Sequence, residues 1–441
     1  MNKVRLSKYL NLVFESDSKD YSEWFGYYNY DTLNHDQTKI LCNRASFDGI
    51  KPYKGSTIEL GYYDLLSGKW HHIDTTTSWN WQQGAMMQWL PGVGNENKVI
   101  YNSTYNGHNR ALICDITTGE KTLIDWSIYG ITCDGTKSIS LEIERSHWCR
   151  AYHYESIANP DWEGRVVNED GVFEIDLKNN TRKRIISIFD VINTDFRPYF
   201  DNCKHWLEHV MISPSSKRIC FLHRFSPIDN VLKYETRLFI ADIDGGNLQI
   251  IPGWELFSWS HFGWKGDDEF VVYTQTPYRY AFDGSIGYLI RSNPVKLIKN
   301  LFYRITGKLP YQISKLVHGK RHMYQLYKFI DNEFALLDNF ESNIFNIDGH
   351  PSFTKDGRYM ITDSYPDKKH MQRLIVFDTI TKKSLLLGKF YANYHRKPSS
   401  CDLHPKLCNN NDFLVVDTAY DSQHHLLMFK LNWDAIKKMI S

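Results

Sequence analysis

Four histidines in the second half of the chain begin the same short pattern: His, two residues, a large apolar residue, then a polar turn. The pattern occurs in "HVMISPSSK", "HFGWKGDDE", "HPSFTKDGR" and "HPKLCNNND", which begin at His209, His261, His350 and His404. Imidazole is the commonest metal ligand in proteins, and several imidazoles held at one level can bind a divalent metal. These residues are candidate ligands if the fold brings them together.

The elements that follow the histidines are β-strands. Each pattern leads into a run rich in β-branched and aromatic residues: "RICFLHRF", "FVVYTQT", "RYMITDSY" and "FLVVDTAY". Further strands follow each run, separated by turn dipeptides such as Asp-Gly. Three weaker copies of the unit precede these four, which makes seven units of about four strands each. The repeats predict an all-β fold, a seven-bladed β-propeller forming a single domain over residues 1–441.

The spacing of the histidines predicts one insertion. His209 and His261 are 52 residues apart and His350 and His404 are 54 apart, whereas His261 and His350 are separated by 89. Segment 291–328 contains nine Lys or Arg residues, no Asp or Glu, and apolar residues at helical spacing. We predict a basic amphipathic helical insertion in blade 5, divided into two helices near Gly307 and Pro310.

The insertion has two interpretations. A basic amphipathic segment suits peripheral contact with an anionic membrane surface, or guidance of a polyanionic sugar. The alternative, which we favour, is a helical hairpin packed on the side of the propeller with its lysines outward. The last blade also lacks a fourth strand, and the early segment "YLNLVFE" is predicted to supply it and close the ring.

The candidate ligands share one register. The innermost strand of each blade lines the central channel, so equivalent residues of different blades lie at similar heights. Through the seven blades that position is occupied by Tyr30, Met86, Ile128, His209, His261, His350 and His404. An arc of imidazoles with an open side predicts a divalent metal site, and the residues do not separate Zn, Mn, Ni and Fe. The alternative is that each imidazole hydrogen-bonds a turn of the neighbouring blade.

The units "HPSFTKDG…YMITDSYPD" and "CDLHPKL…FLVVDTA" resemble the propellers of oligogalacturonate lyases and, more loosely, ulvan-lyase-type propellers. In the oligogalacturonate lyases a divalent metal, typically manganese, is held by His residues and a Gln and binds the uronate carboxylate. The resemblance implies His261, His350 and His404 as ligands, with His209 as a fourth ligand or the base, and it favours Mn or Zn. Ulvan-lyase-type propellers carry two catalytic His on the second blade. In this sequence Gln82, Gln83 and Asn102 occupy about the positions of those two histidines. Amide side chains can bind a carboxylate or a hydroxyl group, but they cannot act as a base.

Uronate β-elimination needs a cation for the carboxylate, a base for the α-proton and an acid for the leaving oxygen. The segment "SLEIERSHWCRAYHYES" supplies candidates in what we predict to be a loop. We predict catalytic roles for Arg150, Tyr152 or Tyr154, and His147. A Tyr beside an Arg can act as a base, and Arg binds carboxylates in a bidentate manner. Arg145 and Arg224 are predicted to bind substrate; the alternative for this segment is loop packing.

The sequence predicts a metal-assisted lyase acting on an anionic, uronate-containing oligo- or polysaccharide. The alternative is a non-catalytic propeller that binds glycan or protein in a surface-polysaccharide pathway. A net charge of +1 gives no general attraction to nucleic acid, and the chain has no Gly-x-Ser-x-Gly motif or P-loop. Eight scattered cysteines predict free thiols in a reducing compartment, and the start does not resemble a secretory signal, so we expect a cytoplasmic protein.

Overall fold

The computed structural model describes residues 3–16, 19–149, 154–276, 294–310, 321–345, 347–393, 399–408, 410–421 and 423–441. Two early strands, β1 (Val4–Leu6) and β2 (Leu10–Glu15), join sheets that are otherwise built from the end of the chain. The other strands form seven antiparallel sheets arranged in a ring, which confirms the seven-bladed propeller.

The first three blades are made of consecutive strands. Blade 1 contains β3 (Ser22–Trp24), β4 (Lys39–Ala45), β5 (Ile58–Asp64) and β6 (Trp70–Thr76). Blade 2 contains β7 (Gln88–Trp89), β8 (Lys98–Tyr105), β9 (His108–Asp115) and β10 (Lys121–Ile124). Blade 3 contains β11 (Gly130–Ile131), β12 (Lys137–Leu141), β13 (Gly171–Asp176) and β14 (Thr181–Ser187).

Blades 4 and 5 have the longest inner strands. Blade 4 contains β15 (Cys203–Ile212), β16 (Arg218–Pro227), β17 (Glu235–Asp242) and β18 (Gln249–Ile250). Blade 5 contains β19 (Ser258–Gly266), β20 (Glu269–Thr276), β21 (Arg321–Ile330) and β22 (Glu333–Phe340). Both inner strands carry a β-bulge, between Glu208 and Met211 and between Trp259 and Phe262.

The ring closes as the sequence predicts. Blade 6 contains β23 (Ser352–Phe353), β24 (Tyr359–Asp363), β25 (Met371–Asp378) and β26 (Ser384–Tyr391), with β1 added at its outer edge. Blade 7 contains β27 (Lys406–Leu407), β28 (Phe413–Thr418) and β29 (His425–Leu431). Strand β2, from "YLNLVFE", pairs with β29 as the fourth strand of blade 7. Two early strands therefore cover sheet edges formed by the end of the chain.

Short helices connect or flank the blades. They are α1 (Ile143–Cys149), α2 (Ile188–Asn193), α3 (Pro294–Thr306) and α4 (Trp433–Ile440), with 3-10 turns at Glu155–Ile157, Pro160–Trp162 and Pro198–Asn202. Helix α3 lies between β20 and β21, which places a helical insertion in blade 5. Residues 321–328 belong to β21, so the predicted boundary at 328 was wrong at that end. A second helix over 311–320 would lie outside the described residues.

Helix α3 packs near the start of β17 in blade 4 and near Asp195. Lys299 is fully buried and its ammonium lies 2.9 Å from a Glu235 carboxylate oxygen, while Lys296 lies 3.2 Å from Asp195. Helix α3 therefore packs against the rest of the protein through Lys299, which faces inward instead of outward as predicted, while Lys296 keeps 45% of its side chain exposed. No helix among the described residues is long and apolar enough to cross a membrane.

The core consists of apolar side chains between adjacent sheets, since each central strand is covered on both faces. Val99, Leu238, Val272, Ile361 and Val415 have no exposed surface. The hairpin turns follow the Asp-Gly signals. Gly357, with φ of 67°, has the left-handed backbone of the β23–β24 turn, and a Cβ there would lie 2.9 Å from the Lys265 carbonyl oxygen. All eight cysteines are free thiols.

Candidate metal centre

The predicted register of the seven channel positions agrees with the strand pairing. In blade 6 the inner strand pairs Ser352 with Ile361, and His350 lies two residues before that pair. In blade 7 Lys406 pairs with Val415, and His404 again lies two residues before it. Pairing in the other blades puts the remaining residues at the same place: Tyr30, Met86, Ile128, His209 and His261.

The backbone directs several of these side chains. Met86, His209 and His404 have φ of 54°, 55° and 44°, in the left-handed region that residues other than Gly rarely adopt. His209 and His261 lie within the bulges of β15 and β19, and a bulge re-aims the side chain it carries. Because Met86 shares the positive φ, whereas His261 and His350 do not, this backbone conformation is not specific to histidine.

Three of the four histidines form one cluster. The ring centroids of His261 and His350 are 3.9 Å apart, and those of His350 and His404 are 4.4 Å apart. Blades 5, 6 and 7 thus bring their imidazoles into direct contact at the mouth of the channel. We call His261, His350 and His404 the His cluster.

His209 stands apart from the His cluster. The ring of Tyr27 stacks on His209 at 5.2 Å and contacts His404 edge-on at 5.0 Å. His209 Nδ1 is 3.2 Å from the Tyr129 hydroxyl, and its Nε2 is 3.5 Å from a Glu208 carboxylate oxygen. Sequence register did not reveal Tyr27, because it belongs to the segment between β3 and the Leu33–Ile40 bridge of blade 1. The structure therefore does not group His209 with the other three candidate ligands.

Each imidazole of the His cluster is oriented by a partner at Nδ1. His350 Nδ1 lies 2.9 Å and 3.0 Å from the two carboxylate oxygens of Asp363, and His261 Nδ1 lies 3.1 Å from Asp348. His404 Nδ1 lies 2.6 Å from the carbonyl oxygen of Gly26. Carboxylate or carbonyl partners at one ring nitrogen are typical of metal-binding histidines, because they orient the other nitrogen towards the ion.

The residues present fit a divalent metal. The Nε2 atoms of His350 and His404 are buried and have no hydrogen-bond partner. Ligand atoms of His350, His404 and Asp402 all lie within 4.8 Å of one another, and all three side chains are buried. Two imidazoles and a carboxylate suit Zn²⁺ or Mn²⁺. The structure thus adds Asp402 to His350 and His404 as a candidate ligand set, with His261 beside them and His209 apart. The Asp-Leu-His spacing was the signal that sequence reasoning missed.

The electrostatics differ between the three imidazoles. Burial lowers the pKa of His404 well below its usual value, and the neighbouring His350 and His261 lower it further. Burial opposes a charge on His350, but the Asp363 carboxylate outweighs it and raises the pKa. Burial and His350 together lower the pKa of His261, against the pull of Asp348. Burial raises the pKa of Asp402 to about 7. A bound cation would offset the cost of a buried Asp402 carboxylate.

Asp363 is one of four equivalent Asn or Asp residues that hydrogen-bond the backbone of the next blade, and Asn102 is another. Asn43, Asn102, Asp363 and Asp417 occupy equivalent places near the end of the second strand of their blades, and each bonds the backbone of the next blade. Asn102 accepts from the Ile128 N–H at 2.8 Å and donates to its carbonyl oxygen at 3.0 Å. Both ends of this amide are therefore used between blades 2 and 3, so the structure supports a structural role in place of the predicted substrate contact.

The two glutamines lie near the site but are engaged. Gln82 Nε2 donates to the Ser400 carbonyl oxygen at 2.8 Å, two residues before Asp402. Gln83 Nε2 donates to the Tyr129 hydroxyl at 2.6 Å, which connects it to His209. Both amides therefore hydrogen-bond neighbouring parts of the protein: Gln82 the segment before Asp402, and Gln83 the tyrosine that contacts His209.

The predicted basic residues are mostly structural. Segment Ile143–Cys149 is helix α1 and not a loop. Arg145 is buried and donates to the carbonyl oxygens of Trp162, Gly164, Arg165 and His205, which leaves little for a substrate carboxylate. Arg224 lies 2.9 Å from Glu208, the same carboxylate that approaches His209.

The remaining predicted catalytic residues are divided between described and undescribed parts of the chain. Tyr154 is buried and accepts a hydrogen bond from Asn80 at 2.6 Å, and His147 is half-buried with its ring edge-on to Trp148. Arg150 and Tyr152 lie outside the described residues.

Comparison with known proteins supports the architecture. No family model and no curated protein matches the chain. Among solved structures, an oligogalacturonate lyase in complex with manganese is similar with a TM-score of 0.60 and 15% identity, covering 97% of this chain and 94% of that one. The hydrazine synthase of Kuenenia stuttgartiensis (TM-score 0.47, 11% identity, 91% and 95% covered) and TolB of Acinetobacter baumannii (0.39, 10%, 86% and 78%) are also similar. Likeness at these identities establishes the propeller fold alone.

Proposed function

We propose that this protein is a metal-assisted lyase that cleaves uronate-containing oligo- or polysaccharides by β-elimination. The proposal is carried by the buried, partnerless Nε2 atoms of His350 and His404, two residues whose ligand atoms lie within 4.8 Å of each other and of Asp402. The likeness in fold to an oligogalacturonate lyase bound to manganese, along almost the whole chain, supports the choice of reaction.

His350, His404 and Asp402 would hold the metal, and Asp363 and the Gly26 carbonyl keep the two imidazoles aimed at it. The cation, when bound, neutralises the uronate carboxylate and makes the neighbouring C–H more acidic. The chain must supply the rest of the chemistry: a base that removes this proton and a path by which the leaving oxygen gains one.

His261 is the best placed base among the described residues. Its side chain is 13% exposed, whereas His350 is 1% exposed. Asp348 accepts from Nδ1, which leaves Nε2 of the neutral ring as the proton acceptor. A proton taken there would remain on an imidazolium stabilised by Asp348. Arg150 and Tyr152 stay predicted partners for the substrate and the leaving group.

A second candidate function is a non-catalytic, metal-stabilised binding propeller. The observation in its favour is closure of the site: the ligating nitrogens of His350 and His404 are inaccessible to solvent. In addition, the Tyr28 hydroxyl donates to the Phe262 carbonyl oxygen at 2.7 Å, a link between blade 1 and blade 5 at the channel mouth. In this case the metal would hold blades 6 and 7 together.

The deciding experiment measures the metal and the product separately. The protein is incubated with galacturonate and glucuronate oligosaccharides and Mn²⁺ or Zn²⁺, and the ultraviolet absorbance of the unsaturated product is followed. We expect product with the native protein and with His108→Ala, a surface control on a blade 2 hairpin, and no product with His350→Ala plus His404→Ala. Metal binding without any product across these substrates would refute the lyase and favour the binding propeller.

A further inference from the structure

Blade 6 carries a concentrated positive charge outside the His cluster. A cleft open to solvent is lined by six basic side chains and a single acidic one, Asp367. The basic residues are Lys3, Arg5, Lys368, Lys369, Arg373 and Lys389. Among the described residues none of the six forms a salt bridge, whereas basic residues of other blades do, as Lys137 does with Glu174. We call this feature the blade 6 cleft.

Three of these cations form a row in register. Arg5 of β1 lies opposite Lys389 of β26, and Lys389 lies opposite Arg373 of β25. Neighbouring strands are about 4.8 Å apart, so the row repeats a positive charge at about that interval. Like charges in opposite positions destabilise a sheet. Since these three cations lie opposite one another and form no salt bridge with an acidic residue in the described part of the chain, we infer that an anionic ligand neutralises them.

The blade 6 cleft opens on the same face as the His cluster. Its lining residue Ile347 directly precedes Asp348, which bonds His261. Arg373 directly precedes Leu374, the cross-strand partner of Asp363, and Asp363 holds His350. The row thus begins on β25, the strand paired with the one that carries Asp363, and runs outward across β26 and β1.

The lining also has an apolar component suited to sugars. Met371 and Tyr391 lie opposite each other on β25 and β26 and both line the blade 6 cleft. Aromatic faces pack against the C–H surfaces of pyranose rings, while Arg and Lys bind their carboxylates. The interval between strands is close to the length of one pyranose ring, so a linear uronan can present one carboxylate to each member of the row.

We propose that the blade 6 cleft is a binding site for a linear polyanionic polysaccharide, with successive uronate carboxylates on Arg373, Lys389 and Arg5. The choice of uronate rests on the proposed function, but binding at this surface requires no turnover. The cleft would hold the part of a long chain that extends beyond the His cluster.

The experiment compares binding of polygalacturonate by the full-length native protein and two triple variants. Arg5→Ser, Arg373→Ser and Lys389→Ser remove the row. Lys178→Ser, Lys183→Ser and Lys430→Ser remove the same charge from exposed positions on other blades. We expect the row variant to lose affinity about tenfold and to show a weaker dependence on salt, because fewer counterions are released. The control variant should bind within about twofold of the native protein.

Three results would overturn the proposal: equal losses in both variants, equal binding of neutral dextran, or tighter binding of single-stranded DNA than of polygalacturonate. The two proposals fail separately. Binding through the row without any unsaturated product would refute the lyase alone. Turnover of short oligosaccharides with no effect of the row variant on polymer binding would refute the site in the blade 6 cleft alone.

Discussion

Asp363→Asn tests whether the buried carboxylate of blade 6 organises the proposed metal centre. Asp363 accepts from the backbone N–H of His350 at 2.6 Å and from that of His404 at 3.2 Å, and it faces His350 Nδ1 at 2.9 and 3.0 Å. Asparagine has the same shape but no charge, and it replaces one acceptor oxygen with an NH₂ group. At least one charge-assisted hydrogen bond is lost, which corresponds to about 1.5–3 kcal/mol of folding free energy.

The loss for metal binding follows from the same contact. Removal of a partner that orients a ligating histidine lowers metal affinity by about 10–100-fold. This corresponds to about 1.4–2.8 kcal/mol of binding free energy. We expect titration calorimetry with Mn²⁺ to show this weaker binding, and thermal unfolding to show a smaller stabilisation by added Mn²⁺ than in the native protein.

Asp378→Asn is the matched control. Asp378 is a buried carboxylate on the same blade that accepts from backbone N–H groups and lies 2.9 Å from Arg358, but it has no contact with the His cluster. It should lose comparable stability and keep native affinity for Mn²⁺. Native Mn²⁺ affinity in Asp363→Asn, or an equal loss in Asp378→Asn, would refute the assignment of the centre to Asp363 and its two histidines.

Three further predictions concern other parts of the molecule. His261→Gln should keep Mn²⁺ affinity within about threefold while lowering kcat by about 10²–10⁴, as for a general base; unchanged kcat would exclude His261 from that role. Helix α3 exposes apolar side chains, including Leu297 (70% exposed) and Ile305 (74% exposed), and we therefore predict that it binds anionic lipid vesicles. The double variant Leu297→Ser plus Ile305→Ser should lose this binding in a vesicle sedimentation assay. Equal sedimentation of the native protein and the variant would contradict the prediction. Burial raises the pKa of Glu142 to about 7. The folded state therefore favours its protonated form, and this contribution is lost as the pH rises from about 4.5 to 7, by about 3 kcal/mol. Glu142→Gln should flatten that part of the stability profile in urea unfolding, and an unchanged slope would show that another group is responsible.

The architecture could be predicted because it is encoded in local, repeated patterns. Each blade carries its own alternation of apolar residues and its own turn residues, so seven similar units are visible before any contact is known. The role of β2 as the closing strand follows from counting strands: the last repeat has one strand too few, and the early segment that forms β2 precedes the first complete repeat. The register of His350 and His404 follows in the same way, because the pairing of a hairpin fixes which residue lies two places before it.

The composition of the candidate metal centre was decided by tertiary structure. Imidazoles at one level of the channel converge only if the closure of the ring, the β-bulges and the other side chains in the channel allow it. In this protein the Tyr27 ring lies between His209 and His404 and separates His209 from the His cluster. The Asp-Leu-His spacing relates Asp402 to His404 alone, and only the packing of blade 7 against blade 6 brings both of them to His350. Arg145 looked available in the sequence, yet the structure uses its guanidinium for backbone carbonyl oxygens. Strand periodicity specifies the scaffold locally, whereas a metal centre requires side chains from distant segments to meet within a few ångströms.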